Sequence, residues 1–315
     1  MTACLVCGHA GFRALFTATD RLYETTAREF QIVACESCGL MRLEPPPAPE
    51  DLRRYYPEHY WYTPDASLAS GLEEIFRRLV LRDHVRFVRR AVAASGETGP
   101  VLDVGCGGGL FPRLLRQRGL RAIGLDFSPE AAAVAWRTNG VPAMCGDLAR
   151  APVAPGACAA ITMFHVLEHL YDPRDYLEAA RPLLKPNGRL IVQVPNAACW
   201  QFRLLGRRWN GMDVPRHLVD FRARDLGALL SAAGFEILRR KHFSLRDNPA
   251  GLAISLAPAL DPMARRVRGR KESPQLKLLK DLAHLALLGA ALPFTLLEAA
   301  FHAGSTIMIE ARKKS

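Results

Sequence analysis

Residues 101–110, VLDVGCGGGL, constrain the fold of this chain more than any other stretch. A short apolar run ends in an acid, and glycines then alternate with other residues as Asp103-x-Gly105-x-Gly107-x-Gly109. Glycine lacks a Cβ atom and adopts left-handed backbone conformations, so this spacing predicts a strand that enters a tight turn open to a ligand. Such a turn is typical of a nucleotide-type cofactor site at the carboxyl edge of a parallel sheet.

The identity of the cofactor depends on two details of this turn. A dinucleotide fingerprint needs a small residue at its third position, where this chain has Leu110. A pyrophosphate also prefers the positive end of a helix, and Asp103 just before the turn would repel it. A ligand with an ammonium group and a sulfonium group would instead be attracted. The turn therefore predicts S-adenosylmethionine as the cofactor.

Acids at the ends of the next two predicted strands support this interpretation. Residues 121–127 predict a second strand that ends in Asp126, 19 residues after Gly107. An acid at that distance suits hydrogen bonding to both ribose hydroxyls. Residues 141–145 predict a third strand, and the carboxylate of Asp147 beyond it can accept from an adenine amino group.

Residues 101–195 resemble the core of the class I S-adenosylmethionine-dependent methyltransferases. The matching pieces are VLDVGCGGG, GLDFSPE, the GD pair at 146–147, MFHVLEHLYDP and LKPNGRLIVQVPN. The stretch 215–237 is similar to the later part of many small-molecule and polysaccharide-pathway methyltransferases. The resemblance implies an α/β fold with a Rossmann-like seven-stranded, mostly parallel sheet and helices on both faces. The cofactor contacts that it implies come from Asp103, Gly105, Cys106, Gly107, Gly109, Asp126, Phe127, Asp147, Leu148 and Phe164.

Four of the eight cysteines form two C-x-x-C pairs near the N-terminus, at Cys4, Cys7, Cys35 and Cys38. Four thiolates at such spacing can enclose a structural zinc ion tetrahedrally. The alternatives are two chance turns or a redox-active disulfide. N-terminal zinc-binding segments occur in methyltransferases that resemble this chain, including some that act on sugars.

Length and composition indicate one large globular domain with appendages, since 315 residues are 49% hydrophobic and 23% charged. We expect a zinc-ribbon segment at 1–45, a linker and N-terminal helical or lid region at 46–98, a methyltransferase core at 99–245, a helical basic and apolar insertion at 246–303, and the last core strand and tail at 304–315. Residues 1–10 do not resemble a signal peptide, which predicts a cytoplasmic protein.

An aromatic cluster separates the cysteine segment from the core. It is followed by a helical pattern at 72–94, in which residues 72, 75, 76, 79 and 80 share one apolar face. The aromatic residues either pack the two parts together or form a lid over the cofactor or substrate. The cluster consists of Tyr55, Tyr56, His59, Tyr60, Trp61 and Tyr62.

The HVLEH motif at 165–169 matches the H-x-x-E-H pattern of one metalloprotease group. That pattern requires a helix, whereas here it follows the predicted strand 159–165, so a hydrolase is not expected. The resemblance implies a second alternative, because some related O-methyltransferases hold a divalent ion with acids and a histidine after this strand. In this chain His165 replaces one of those acids.

A hydroxyl acceptor needs a general base, for which this chain offers several histidines. His217 lies after the predicted fifth strand, 188–194, at the same sheet edge as His165. We expect His217 first and His165 second as the base, with His169 as a further candidate and Glu168 orienting an imidazole. A purely structural hydrogen-bonded role stays open for each histidine.

About 60 residues separate the last two predicted strands, 234–242 and 305–311. Within them, residues 282–297 are strongly apolar but short, and Pro293 is expected to break the helix. Basic residues precede this stretch, and a basic segment beside an apolar one is typical of an interfacial membrane anchor, which would give peripheral membrane contact through 265–300. The preferred hypothesis is a helical hairpin that covers the substrate pocket or a dimer interface. These basic residues are Arg265, Arg266, Arg268, Arg270, Lys271, Lys277 and Lys280.

The net charge of +11 favours anionic partners, such as phospholipid or phosphorylated substrates. Nucleic acid is not the expected partner, since acids interrupt the loop at 8–34. We expect methyl transfer to a hydroxyl or carbon of a small molecule, such as a sugar or lipid-linked glycan intermediate. Methylation of RNA or protein with the ribbon as recognition module is one alternative, and a non-catalytic cofactor-binding scaffold is another.

Overall fold

The computed structural model describes residues 3–56, 68–269 and 272–314. The strands are β1 (Phe12–Ala18), β2 (Phe30–Cys35), β3 (Met41–Leu43), β4 (Val101–Val104), β5 (Ala122–Asp126), β6 (Ala143–Cys145), β7 (Cys158–Phe164), β8 (Leu184–Pro195), β9 (Val219–Asp220), β10 (Phe235–Lys241) and β11 (Thr306–Lys313). The α-helices are α1 (Pro49–Leu52), α2 (Leu68–Val80), α3 (Arg82–Ser95), α4 (Leu110–Arg116), α5 (Pro129–Arg137), α6 (Pro173–Leu183), α7 (Trp200–Leu205), α8 (Ala223–Ala232), α9 (Asn248–Leu256), α10 (Pro262–Val267) and α11 (Pro274–Ala300).

A seven-stranded sheet with the order β10-β11-β8-β7-β4-β5-β6 forms the centre of the protein. Strands β4 to β8 are parallel, and β11 is antiparallel to both of its neighbours. Every residue of β4 is buried, as is expected of a strand covered on both faces. The predicted Rossmann-like, mostly parallel sheet is confirmed.

Helices cover both faces of this sheet. On one face, Phe87 of α3 and Phe111 of α4 belong to the same buried cluster as Ala160 of β7. On the other face, Leu177 of α6 and Leu229 of α8 join a larger cluster that includes residues of the N-terminal segment. The cofactor turn after β4 lies at the carboxyl edge between these two layers.

A second, four-stranded sheet with the order β1-β2-β3-β9 contains the N-terminal segment. Its last strand, β9, lies within the predicted core at 99–245 and pairs with β3 of the N-terminal segment: Met41 pairs with Asp220, and Arg42 pairs with Val219. The N-terminal segment is therefore joined to the core by backbone hydrogen bonds as well as by packing. The division of the chain at residue 45 stays a proposal.

The C-terminal insertion is helical, as predicted, but its last helix is longer than expected. Helix α11 has 27 residues and continues through Pro293, so the predicted break is wrong. Proline removes the hydrogen bond to the carbonyl four residues earlier. Since Gly289 and Pro293 both lie on the exposed side of α11, this loss leaves no carbonyl unsatisfied in the core.

Two further boundaries differ from the prediction. The helical pattern at 72–94 is divided at Leu81 into α2 and α3, and its apolar face is exposed at Ile75, Phe76 and Leu79. The fifth core strand begins at Leu184 instead of Gly188, because the KPNG stretch continues β8 with a shift in register.

Candidate active site

Glycines shape the turn between β4 and α4. Gly105, Gly107 and Gly109 have φ angles of +70°, +52° and +79°. A Cβ atom on Gly109 would lie 2.7 Å from the Cβ of Ala135, so a side chain is excluded there. The Gly107 N–H donates to Asp126 Oδ2 over 2.8 Å, which ties the turn to the end of β5. The turn thus offers a rigid backbone surface to a ligand.

Asp103 lies beneath the turn and is 4% exposed. The Thr162 hydroxyl donates to its Oδ1 over 2.6 Å. Burial and the neighbouring Asp126 raise the pKa of Asp103 to about 7, although the Thr162 hydrogen bond opposes this shift. A nearby cation would favour the ionised carboxylate. The arrangement fits a ligand with a positive charge better than a pyrophosphate.

The two acids predicted to bind the ribose and the adenine follow β5 and β6. Asp126 is buried, and its Oδ1 accepts from the Ser128 N–H over 2.9 Å. Asp147 is exposed, and its Oδ1 accepts from the Ala149 N–H over 2.8 Å. Phe127, between them along the chain, is 63% exposed and offers an aromatic face. These contacts to the cofactor stay predictions.

The remaining predicted cofactor residues shape the site from within. The side chains of Cys106 and Leu148 are buried. The ring of Phe164 packs edge-on against Phe111 and His84, with centroid distances of 5.0 and 5.2 Å. These side chains support the turn and the end of β7. We therefore expect the polar contacts to a cofactor to come from the acids and from the backbone.

His165 follows β7 with a φ angle of +57°, which non-glycine residues seldom adopt. Its Nδ1 lies 3.1 Å from Glu168 Oε1, and its Nε2 lies 3.5 Å from Asp247 Oδ1. Burial opposes a charge on this ring, but Asp247 and Glu168 together raise the pKa of His165 to about 9. The two carboxylates favour the protonated ring and argue against His165 as general base at neutral pH, whereas the Gln193 amide nitrogen, 2.9 Å from His165 Nε2, is a donor that requires an unprotonated Nε2.

His169 and His217 face each other with ring centroids 4.6 Å apart. The His169 Nδ1 lies 3.0 Å from the Arg216 carbonyl oxygen, and the His217 Nδ1 lies 2.8 Å from that of Gly211. A carbonyl can only accept, so each ring carries a proton on Nδ1. Burial and the neighbouring His217 lower the pKa of His169 to about 4. In the neutral form, each ring presents Nε2 as an acceptor.

Glu168 completes a three-residue cluster with these histidines. Its side chain is 1% exposed, and within the described residues its Oε2 has no hydrogen-bond partner. Burial disfavours the charge, but the contact with His165 lowers the pKa of Glu168, so the carboxylate is ionised. Ligand atoms of Glu168, His169 and His217 lie within 4.8 Å of one another. Two imidazoles fixed by carbonyls and one carboxylate are a donor set that fits a divalent cation.

Tyr56 connects the N-terminal aromatic cluster to this site. Its hydroxyl lies 3.0 Å from His169 Nδ1, and its ring packs edge-on against Phe127 with a centroid distance of 6.2 Å. Tyr55 instead packs against Phe30 of β2. The lid interpretation thus gains support for Tyr56 and the packing interpretation for Tyr55. The other members, His59, Tyr60, Trp61 and Tyr62, lie outside the described residues.

A fully buried arginine holds the loop that carries His217. The Arg216 guanidinium donates to Asp20 from two nitrogens, each over 2.9 Å, and to Asp213 over 2.7 Å. It also lies 4.5 Å from the centroid of the Tyr23 ring. Asp20 and Tyr23 belong to the N-terminal segment, which therefore helps to position His217. Sequence reasoning missed this contact.

Sequence reasoning also missed two residues that surround His165. Gln193 Nε2 donates to Asp247 Oδ2 over 2.7 Å, and Gln193 Oε1 lies 2.9 Å from His84 Nε2. A signal for Gln193 existed, because it is a polar residue within the apolar run LIVQV of a buried strand. Asp247 lies in the segment between β10 and α9, where the sequence offers no comparable signal.

The N-terminal cysteines converge as the zinc prediction requires. The close contacts run between the two C-x-x-C pairs: Cys4 Sγ lies 3.5 Å from Cys38 Sγ, and Cys7 Sγ lies 3.6 Å from Cys35 Sγ. All four Sγ atoms lie within 4.8 Å of one another. Gly8 and Gly39 have φ angles of +75° and +74° and close the two turns by donating to the first cysteine of each pair. Four thiols in two such turns fit a closed structural zinc site. The cluster comprises Cys4, Cys7, Cys35 and Cys38.

Comparisons with known proteins agree with this geometry. A family model described as a methyltransferase domain matches residues 73–240. A ubiquinone biosynthesis O-methyltransferase from Pseudomonas paraeruginosa is 30% identical over 189 residues, which cover 56% of this chain and 80% of the relative. One from Pectobacterium carotovorum is 31% identical over 207 residues, which cover 62% of this chain and 87% of the relative.

A solved structure from Galdieria sulphuraria, assigned as a sarcosine dimethylglycine methyltransferase, shares the fold. It has a TM-score of 0.50 and 15% sequence identity, and the match covers 74% of this chain and 86% of that one. The family model spans more than half of this chain, including the glycine turn and the strands around it. The chain therefore belongs to the class I S-adenosylmethionine-dependent methyltransferases, which makes it an enzyme with S-adenosylmethionine as its cofactor.

Proposed function

We propose that this enzyme transfers a methyl group to a hydroxyl oxygen of a small molecule. The observation that carries the proposal is the His169–His217 pair, whose Nδ1 atoms are occupied by backbone carbonyls. A hydroxyl must lose its proton during methylation, and a positioned base typically contributes ~10²–10⁴-fold to the rate. The names of the two bacterial relatives, both O-methyltransferases, support the same chemistry.

When bound, the cofactor would supply a methyl group attached to a sulfonium sulfur. The acceptor oxygen would form a bond to the methyl carbon as the carbon–sulfur bond breaks, and the sulfur would leave as a neutral thioether. Asp103 would face the positive charge of the cofactor, Asp126 would accept from the ribose, and Asp147 would accept from the adenine. The protein's main task is alignment of the acceptor with the methyl group, which can contribute roughly 7–11 kcal/mol.

His217 is the proposed base, with its Nε2 as the atom that accepts the acceptor's proton. The low pKa of His169, about 4, makes that ring the weaker proton acceptor. His169 instead packs against His217 and contacts Tyr56. The protonated His165, between Asp247 and Glu168, would stabilise negative charge that develops on the acceptor oxygen.

A divalent cation is a second way to activate the same hydroxyl. Glu168, His169 and His217 would hold it, and the buried Glu168 Oε2 has no other partner among the described residues. Such an ion would lower the pKa of an acceptor hydroxyl. The two possibilities differ in their response to chelators, since only the cation-dependent reaction stops when the metal is removed.

The sequence, the polar residues near His165 and the net charge indicate the class of the acceptor. The resemblance at residues 215–237 points to a sugar or a lipid-linked glycan intermediate. His165, Gln193 and Asp247 contact one another beside the proposed acceptor position. Polar groups of this kind suit a substrate with several hydroxyls. The net charge of +11 also favours acceptors that carry phosphate.

The test combines product analysis with two variants. Purified protein is incubated with methyl-labelled S-adenosylmethionine and panels of catechols, sugars and sugar phosphates, and the methylated atom is identified by NMR. We expect His217→Ala to lower kcat by roughly 10²–10⁴-fold while the Kd for S-adenosylmethionine is unchanged. His302→Ala, an exposed histidine in the turn after α11, serves as the control. Methylation of carbon or nitrogen, or full turnover by His217→Ala, would contradict the proposal.

A further inference from the structure

Helix α11 presents an apolar outer face along most of its length. From residue 282 to residue 301, every exposed position holds Leu, Ala, Gly, Pro or Phe. These positions recur every three or four residues, so they form one stripe roughly 28 Å long. The large side chains of the stripe and of the turn before it are 48–65% exposed: Leu278, Leu279, Leu282, Leu285, Leu296, Leu297 and Phe301.

The two polar residues in the C-terminal half of α11 face the protein instead. Glu298 is buried and accepts from the Gln201 N–H over 3.0 Å and from the Gln201 side chain over 2.9 Å. Thr295 is buried as well. A helix on the surface of a water-soluble protein has the opposite arrangement, with its apolar side inward and its polar side outward. The outer face of α11 is therefore suited to contact with an apolar phase.

Length and burial distinguish α11 from a core helix. Within the described residues it is the one helix long and apolar enough to cross a membrane, and 17% of its apolar stretch is buried. Its inner face, however, is held by Gln201 and by contacts with α9. A helix fixed to the protein body in this way lies along a bilayer surface, with its stripe in the lipid, and does not cross it.

Exposed arginines adjoin the stripe. Trp200 of α7 packs against Phe301, with ring centroids 5.4 Å apart. The same helix and the turn after it expose Arg203, Arg207 and Arg208, together with Leu204, which is 71% exposed. Positive charge beside an apolar surface fits a bilayer with anionic headgroups. A symmetric dimer through this face would instead bring the arginines of two copies close together.

The basic residues that first suggested membrane contact contribute less than expected. Arg265 pairs with Glu272 and Asp281, and Lys280 also pairs with Glu272. Arg268 pairs with Glu24 over 3.0 Å. These side chains stabilise the fold of the insertion. Lys277 is exposed on α11, whereas Arg270 and Lys271 lie outside the described residues. The charge that the described residues offer to headgroups therefore comes from Lys277, α7 and the turn after α7.

We propose that the apolar stripe of α11 and the arginines beside it form a docking surface for an anionic phospholipid bilayer. The surface adjoins the acceptor site through α9, which packs on α11 and begins directly after Asp247. Asp247 in turn contacts His165. An enzyme docked in this way would receive acceptors from the membrane phase.

Vesicle flotation of the full chain tests the proposal. The probes are vesicles of phosphatidylcholine alone and of phosphatidylcholine with 30% phosphatidylglycerol. We expect binding to the anionic vesicles, and a decrease of about 100-fold in partitioning for Leu282→Glu/Leu285→Glu. The control is Leu238→Glu, which changes an exposed leucine of β10 and should bind normally. Arg203→Gln/Arg207→Gln should reduce the preference for the anionic vesicles.

Two further measurements exclude unfolding and dimer formation as explanations of altered vesicle binding. A thermal melt with and without S-adenosylmethionine verifies that each variant is folded, since exposed leucines contribute little to stability. The mass in solution, measured by light scattering, detects a second copy on the same face. Absence of vesicle binding would overturn the proposal, whether the protein is a monomer or a dimer that dissociates in the double variant. Equal binding by the double variant and the Leu238→Glu control would overturn it as well.

Discussion

Replacement of Asp20 by alanine would remove one of the two carboxylates that accept hydrogen bonds from the fully buried Arg216. The guanidinium would lose two hydrogen bonds of 2.9 Å but would keep Asp213. Asp20 also accepts from the backbone N–H and hydroxyl of Thr25, over 3.1 and 2.5 Å, and these groups would lose their partner. Removal of one member of a buried ion pair costs about 3–5 kcal/mol. We expect the free energy of unfolding to decrease by that amount.

Urea unfolding of the full chain measures this change, and Asp51→Ala is the matched control. Asp51 also pairs with an arginine, Arg54, over 2.9 Å, but their side chains are 38% and 79% exposed. Surface pairs of this kind contribute about 0–1 kcal/mol. A difference of less than about 1 kcal/mol between the two variants would show that Asp20 does not stabilise the loop that carries His217.

The effect of Asp20 should also depend on pH in a definite direction. Burial opposes the charge of Asp20, but the hydrogen bonds from Arg216 lower its pKa below the ordinary value of 3.8. A carboxyl group with a depressed pKa in the folded state stabilises the protein above its unfolded pKa, and this contribution is lost as the pH falls through the folded pKa. The difference between the wild type and Asp20→Ala should therefore be constant near neutral pH and decrease below about pH 4.

Two further predictions concern the ligands. Because the pKa of Asp103 without ligand is about 7 and a cation favours its ionised form, the affinity for S-adenosylmethionine should fall by up to about tenfold per pH unit below 7. Calorimetry should show this slope in the wild type, and a similar slope in Asp103→Asn would assign it to another group. Metal analysis should find one zinc ion per chain, lost in Cys38→Ser and retained in Cys145→Ser, which changes an exposed cysteine outside the cluster. Zinc-free wild-type protein with an unchanged Tm would exclude the structural zinc site.

The sheet was predictable because its strands are buried on both faces and are separated by glycine, proline and capping residues. Ser128, for example, precedes Pro129 in a pattern typical of a helix N-terminus, and its hydroxyl accepts from the Ala131 N–H. The pairing of β9 with β3 was not predictable, because a two-residue strand has no periodicity of its own. The continuation of α11 through Pro293 was missed because proline disfavours a helix interior but tertiary packing can outweigh that cost, and Pro293 lies on the exposed side, where it leaves no buried carbonyl unsatisfied.

The candidate site was predictable only where its residues are close in the sequence. His165, Glu168 and His169 were recognised together, since the motif follows one strand. The partners that decide their ionisation come from far away: Asp247 is 82 residues beyond His165, and Asp20 lies 196 residues before Arg216. The sequence alone therefore predicted several candidate general bases. The contact with Asp247, which only the structure shows, argues against His165 as the general base at neutral pH.

The insertion that carries the docking surface also supplies a residue of the acceptor site. Asp247 contacts His165 and directly precedes α9, and α9 packs against α11. Membrane docking and catalysis can nevertheless be separated, because the side chains of Leu282 and Leu285 are more than half exposed. Leu282→Glu/Leu285→Glu should leave the kcat for a water-soluble acceptor unchanged and lower only the turnover of an acceptor embedded in vesicles. If both activities fell together, the helix would act on the site through Asp247, and a role in presenting lipid-borne acceptors would lose its support.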